Sequence, residues 1–186
     1  MDIKDISAIL LAGGYSSRMG KDKAELDFHG HTLLEHQVEK LRILGITDIL
    51  ISGYEKVPVG TRFVPDVYPH RGPLSGIHAG LCAAQNDCAL VLAVDTPLVP
   101  ESLLLELIET HHRGITVVEA RGMPEPLIGV YDRALIRDCE QILQGNRFSL
   151  RILLDKIGYT PCPYIGDLRR LSNCNTWEEY QAALSF

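Results

Sequence analysis

A chain of 186 residues, 46% of them apolar, is long enough to bury a core of ordinary size, so neither a structural metal nor a set of disulfides is needed to stabilise it. The net charge of −6 with histidine neutral argues against a general affinity for nucleic acid or for anionic membranes, so any positive charge that matters must be local. The five cysteines, Cys82, Cys88, Cys139, Cys162 and Cys174, are odd in number and form no CxxC pair, which fits reduced thiols rather than a zinc site or a disulfide framework. The opening "MDIKDI" carries two aspartates and no long apolar core, and no stretch reaches membrane-spanning length; no secretory signal is expected, and the expected compartment is the cytoplasm.

Short apolar runs alternate with helical patterns along the whole chain. "SAILLA" at 7–12 lacks the polar alternation of a half-exposed strand and reads as a strand buried on both faces. In "TLLEHQVEKLRILG", Thr32 and Glu35 make a capping box, Leu34, Val38 and Leu41 share a helical face, and Gly45 can end the helix in a left-handed turn. Strands follow at 48–53 and near "RFVPD", then a small-residue helix over about 74–85 and the strand "CALVLAVD" at 88–95. Pro100 suits the first turn of the helix "ESLLLELIETHH", after which "GITVVEA" and "EPLIGVY" read as strands. Helices are expected around "ALIRDCEQIL" and "SLRILLDKIG", and a last one from Thr176, where "TWEE" repeats the capping box. The alternation predicts one α/β domain over residues 1–186, a Rossmann-like three-layer sandwich with helices on both faces of a mainly parallel central sheet.

In an open sheet of this kind ligands bind beyond the carboxyl ends of the strands. Four polar clusters fall at such ends: residues 13–23, Ser52, Asp66 and Asp95. The first, "LAGGYSSRMGKDKAEL", puts Gly13 and Gly14 just behind the strand, followed by Arg18 and Lys23. Two familiar phosphate loops are excluded by spacing. A Walker loop ending at Gly20 and Lys21 would need glycine at Tyr15 and a hydroxyl at Asp22, and the G-x-G-x-x-G spacing never occurs after Gly13. Backbone N–H groups freed by glycine, a forked guanidinium and a compact ammonium nevertheless suit a polyphosphate. Asp66 and Asp95 each also fit an ordinary turn or helix-capping role beside a proline, and it is their agreement in position with the other clusters that makes them site candidates.

The segment "LAGGYSSRMGKDK" resembles the signature L-A-G-G-x-S-x-R-M-G-x-D-K of a nucleotidyltransferase family, and its Gly-x-Asp-Lys ending is most similar to the molybdenum cofactor guanylyltransferase branch, MobA. "PDVYPHRGPLSG", "AVDTPLVP" and "SNCNTWEEY" follow in the family's order, the last resembling N-x-N-T-P-E-E. The resemblance implies that Leu11, Ala12, Gly13 and Gly14 contact the nucleotide through their backbone, with guanine read partly by main-chain groups. It further implies that Lys23 meets the phosphates, Arg18 the departing pyrophosphate, Asp66 the nucleotide, and Asp95 a magnesium ion (Mg2+). The chain departs from the branch at Ser52 (asparagine), Val94 (cysteine) and Trp177 (proline), positions that bear on base choice, acceptor choice and packing. The implied activity is transfer of GMP from GTP to molybdopterin cofactor with release of pyrophosphate. Alternatives are a cytidylyltransferase or another small-molecule nucleotidyltransferase and, in another class, a non-catalytic nucleotide-binding carrier. Implied partners are GTP and molybdopterin, then molybdoenzymes or cofactor-insertion proteins.

The chemistry needs no general base, because an acceptor phosphate is already ionised; positioning and charge neutralisation carry the reaction. One aspartate suffices for magnesium, which takes its other ligands from phosphates and water. Three further features stay open on sequence grounds. Gly72, Gly76 and Gly80 in "GPLSGIHAGL" suit either ligand approach or close helix packing; His70 and His78 lie nearby without an assigned role; Arg147 and Arg151 read as surface residues.

Overall fold

The computed structural model describes residues 3–13 and 22–186. Its centre is a seven-stranded sheet in the order β5-β4-β1-β6-β8-β7-β9. The strands are β1 (Ser7–Leu11), β4 (Ile49–Ser52), β5 (Arg62–Val64), β6 (Cys88–Ala93), β7 (Ile115–Ala120), β8 (Met123–Asp132) and β9 (Thr160–Pro163). A separate small hairpin pairs β2 (Asp27–Phe28) with β3 (His31–Thr32). The helices are α1 (Leu33–Ile43), α2 (Pro73–Ala83), α3 (Glu101–Thr110), α4 (Ile136–Gln144), α5 (Leu150–Ile157) and α6 (Trp177–Leu184).

Period-two alternation divides the core into two layers. Ala8 and Leu10 of β1 face one side with Leu90 and Leu92 of β6, where α1, α3 and α6 cover them through Leu41, Leu107 and Tyr180. Ile9 and Leu11 face the other side with Ala89 and Val91, under α2, α4 and α5 through Ile77, Leu143 and Leu153. This is the expected three-layer sandwich. The sheet is mainly parallel, with β8 as the exception: it runs antiparallel to both β6 and β7. Its short connection from β7, through Arg121 and Gly122 at φ +53° and +73°, permits only a hairpin.

The caps form as the sequence dictates. Thr32 and Glu35 close a capping box on α1, Thr176 and Glu179 another on α6, and Gly45 takes φ +92° just beyond α1. Pro100 corrects one expectation, standing at the N-cap of α3 rather than inside its first turn, with extended backbone (φ −70°, ψ 145°). The hairpin β2/β3 and the edge strand β9 carry no clear apolar run and were not anticipated. The cysteines are free, and all but Cys82 are buried; burial pushes the Cys88 thiol up to about 11 and Cys139 up to about 12.

Candidate active site

Strand order explains where the clusters meet. From β1 the chain moves outward to β4 and β5, then returns through α2 to β6 on the other side of β1. The loops leaving β1 and β6 therefore diverge, and a crevice opens between their carboxyl ends. A cleft of about 830 Å3 occupies this place. Leu11, Ala12, Gly13, Lys23, Ser52, Asp66 and Asp95 all line it.

Its charged centre is a pair. The Lys23 ammonium, in the short 3-10 turn Lys23–Glu25, donates to Asp95 Oδ2 at 2.7 Å, although the residues are 72 apart in the chain. Both side chains are largely shielded, at 13% and 15% exposure, so this is not an ordinary surface ion pair. Lys23 also donates to Asn175 Oδ1. Asn175 is held in turn, its backbone N–H donating to Glu179 Oε2 at 2.8 Å, and the Cys174 N–H donates to the Asp95 carbonyl at 2.7 Å. The segment before α6 is thus tied to the end of β6 from both sides of the cation.

A second group lies across the crevice. The Ser52 hydroxyl donates to Asp66 Oδ1 at 2.9 Å, which orients that carboxylate and leaves its other oxygen available. The loops of β1 and β4 cross in backbone contact beside it. A Cβ on Gly53 would lie 2.3 Å from the Gly13 Cα, and Gly53 itself adopts φ +84°, so no other residue fits there. Ala12 N–H donates to the Ser52 carbonyl and Val94 N–H to the Leu11 carbonyl. The backbone of residues 11–13 is therefore rigidly placed at the cleft wall, with the Leu11 and Ala12 side chains buried behind it.

The glycines of α2 separate into two roles. Gly76 and Gly80 are packing positions: an added Cβ would lie 2.6 Å from Ser52 Oγ in the first case and 2.6 Å from Ile9 Cδ1 in the second. Gly72, at φ +67° with open space around it, is the N-cap of α2 and faces the cleft. His70 (φ +63°) lines the cleft, whereas His78 is buried against Tyr68 with ring centroids 5.4 Å apart, and desolvation lowers its pKa. Arg147 is exposed, and Arg151 pairs with Asp155 one helical turn away, in keeping with a surface reading. Gly14 and Arg18 lie outside the described residues.

Sequence reasoning did not single out Asn175 or Gly53. The signal for Asn175 was its place immediately before a capping box, but only the fold shows that Lys23 meets it. Gly53 read as the end of a strand, because its requirement arises from a crossing partner 40 residues earlier. The metal chemistry of the cleft is also defined. Among the described residues no group of three or more His, Cys, Asp or Glu side chains converges. Asp95 Oδ1 accepts no hydrogen bond among them, so Asp95 offers one free carboxylate oxygen to the cleft. That suits a hard cation ligated chiefly by phosphates and water, and not an all-protein cage.

Residues 8–157 match the family described as the MobA-like NTP transferase domain. A protein of Methanosarcina acetivorans named "Probable molybdenum cofactor guanylyltransferase" is 34% identical over 97% of this chain and 91% of its own length. The molybdenum cofactor guanylyltransferase of Xanthomonas euvesicatoria is 31% identical, covering 94% of this chain and 92% of that protein. Among solved structures, molybdopterin-guanine dinucleotide biosynthesis protein A from Archaeoglobus fulgidus superposes with a TM-score of 0.81 at 21% identity, covering 97% of both chains.

Proposed function

The chain belongs to the MobA-like NTP transferase family, and from that premise we propose that this nucleotidyltransferase moves GMP from GTP to molybdopterin cofactor and releases pyrophosphate. The observation that carries the reading is the shielded Lys23–Asp95 pair, set at the switch point of the sheet in a cleft large enough for a nucleotide. The guanylyltransferase names of relatives that match nearly end to end supply the substrates.

In the proposed reaction a phosphate oxygen of the acceptor forms a bond to the α-phosphorus of GTP, and the bond from that phosphorus to the β-bridging oxygen breaks. The electron pair leaves with pyrophosphate. Lys23 offsets charge on the triphosphate, exchanging its contact with Asp95 for one with phosphate as substrate enters. Arg18 draws on the leaving group, Asp66 holds the nucleoside in the orientation set by Ser52, the rigid backbone of residues 11–13 faces the base, and Gly14 is assigned a contact with the nucleotide. Magnesium fits the single free oxygen of Asp95, and when bound it would neutralise phosphate charge as a Lewis acid. Asn175 keeps the lysine on the axis between the two anions. The compartment assigned is the cytoplasm, with the product passed to molybdoenzymes or their insertion proteins; among the described residues no helix is long and apolar enough to cross a membrane.

Removing one charged group from such a preorganised phosphate site costs about a hundredfold or more in rate. Lys23→Ala and Asp95→Ala are each expected to lose that much pyrophosphate release while keeping the wild-type thermal midpoint within a few degrees. Near-normal turnover in either folded variant would contradict the assigned roles. Tight GTP binding by the wild type without pyrophosphate release, given magnesium and molybdopterin, would favour a carrier instead.

A further inference from the structure

Beside the nucleotide cleft lies a second cavity of about 330 Å3, mainly apolar, in which Glu125 is the one carboxylate among the lining residues. Gly72, Pro73 and Leu127 line both spaces, so the two adjoin. The second cavity also reaches the reaction centre: Thr96 on its wall follows Asp95, and Asn173 stands two residues before Asn175. One wall is an aromatic face. Phe148 is held by the Arg71 guanidinium, 4.5 Å from its ring centroid, while Arg71 Nη1 donates to the Gly145 carbonyl at 2.9 Å.

Glu125 is placed there by an irregularity in the sheet. Val117 of β7 lies opposite Gly129, but Val118 lies opposite Glu125, so β8 leaves its register over the residues between. Such bulges re-aim side chains next to sites. Pro124 and Pro126 flank the glutamate and fix the backbone on both sides, and the Tyr131 hydroxyl donates to the Pro126 carbonyl at 2.7 Å, anchoring the bulge. Among the described residues Glu125 accepts no hydrogen bond and makes no ion pair, and burial raises its pKa above the usual glutamate range. A carboxyl group half removed from water in an apolar cavity carries a desolvation cost that a ligand with paired donors would relieve.

We propose that this cavity is the ring subsite for the acceptor, where Glu125 accepts hydrogen bonds from the 2-amino and N3–H donors of a 2-amino-4-oxopteridine packed between Phe148 and Leu127. The assignment rests on the transferase reading above. Guanine presents the same donor edge, but the nucleoside has its own place across Asp95, at the carboxyl ends of β1, β4 and β5, where Asp66 and the backbone of residues 11–13 lie. In-line displacement requires the acceptor phosphate to approach the α-phosphorus from the side opposite the leaving pyrophosphate, so the acceptor needs a place distinct from that of the triphosphate.

The test measures initial rates with GTP and molybdopterin for the wild type and Glu125→Gln. 6-Hydroxymethylpterin and its 2,4-dioxo counterpart, 6-hydroxymethyllumazine, serve as inhibitors competing with molybdopterin. The lumazine turns a carbonyl lone pair toward the glutamate in place of an amino donor. The wild type should be inhibited about tenfold more strongly by the pterin, because a buried acceptor left without its donor forfeits about that much affinity. Glu125→Gln should raise the KM for molybdopterin about tenfold and erase the pterin preference, with the KM for GTP and the preference for GTP over ITP unchanged. Equal inhibition of the wild type by both pteridines would overturn the proposal. So would loss of the GTP-over-ITP preference in Glu125→Gln with an unaltered molybdopterin KM, which would put guanine in the cavity. A wild type without any turnover would strike the transferase reading instead, and quenching of pteridine fluorescence on that protein would still decide the subsite.

Discussion

At the scale of single residues the site depends on contacts between positions far apart in the chain. Lys23, Asp66 and Asp95 line one cleft, in keeping with a sequence reading that placed each in a cluster at the carboxyl end of a strand, whereas Leu11 and Ala12 were singled out only by the family resemblance. Gly53 was not legible, since nothing local requires a glycine there; the requirement is the backbone of Gly13 passing 2.3 Å from where a Cβ would stand. Gly53→Ala is therefore expected to combine a left-handed strain of about 1–2 kcal/mol with a clash that no rotamer relieves. Chemical denaturation should show at least about 2 kcal/mol of lost stability, and the KM for GTP should rise in the protein that remains folded. A variant with unchanged midpoint and KM would mean that the two loops do not cross as described.

At the scale of elements, α1 supports the end of β6 that carries Asp95. Its inward side carries polar residues that all grip the loop after that strand. Gln37 Nε2 donates to the Ala93 and Thr96 carbonyls at 3.0 Å, Lys40 Nζ to the Pro97 and Val99 carbonyls at 2.7 and 2.8 Å, and His36 Nε2 lies 3.2 Å from the Pro97 carbonyl. The helix itself was readable from its capping box and apolar face, but this clamp was not, because Gln and Lys on a helix ordinarily face water. Burial holds Lys40 down to about 8, with Glu101 opposing the shift. The unfolded chain keeps its lysine protonated to about pH 10.5, so the native state releases the proton first. The residue's contribution to stability then rises with pH between about 8 and 10.5, by at most about 1.4 kcal/mol per pH unit, and is constant below that window. Urea midpoints of the wild type and Lys40→Met, taken at pH 7 and pH 9.5, check the sign. The difference between the proteins should move in favour of the wild type at the higher pH, and a difference that stays fixed would contradict the lowering of the Lys40 pKa by burial.

At the scale of the whole molecule, the architecture was legible wherever burial on two faces wrote continuous apolar runs, as in "SAILLA" and "CALVLAVD". It was less legible at the margin of the sheet. Strand β8 reads as an apolar run, but its antiparallel direction depends on the tight connection from β7, and its bulge leaves no mark beyond two prolines. Strand β9, "TPCP", pairs with β7 only because the edge has N–H and C=O groups to offer. The same organisation explains the site: divergent loops at the switch point open the crevice, and the irregular β8 adds a second chamber next to it.

If the cleft around Lys23 and Asp95 joins a guanine nucleotide to a pterin-bearing phosphate, the product itself will show it. The protein is incubated with magnesium, molybdopterin and either GTP or CTP, and the mass of the product is determined. A molybdopterin-guanine dinucleotide is expected with one pyrophosphate released per product, and at least about tenfold less product with CTP. A cytosine dinucleotide formed in preference, or no dinucleotide from folded protein with either nucleotide, would contradict that assignment.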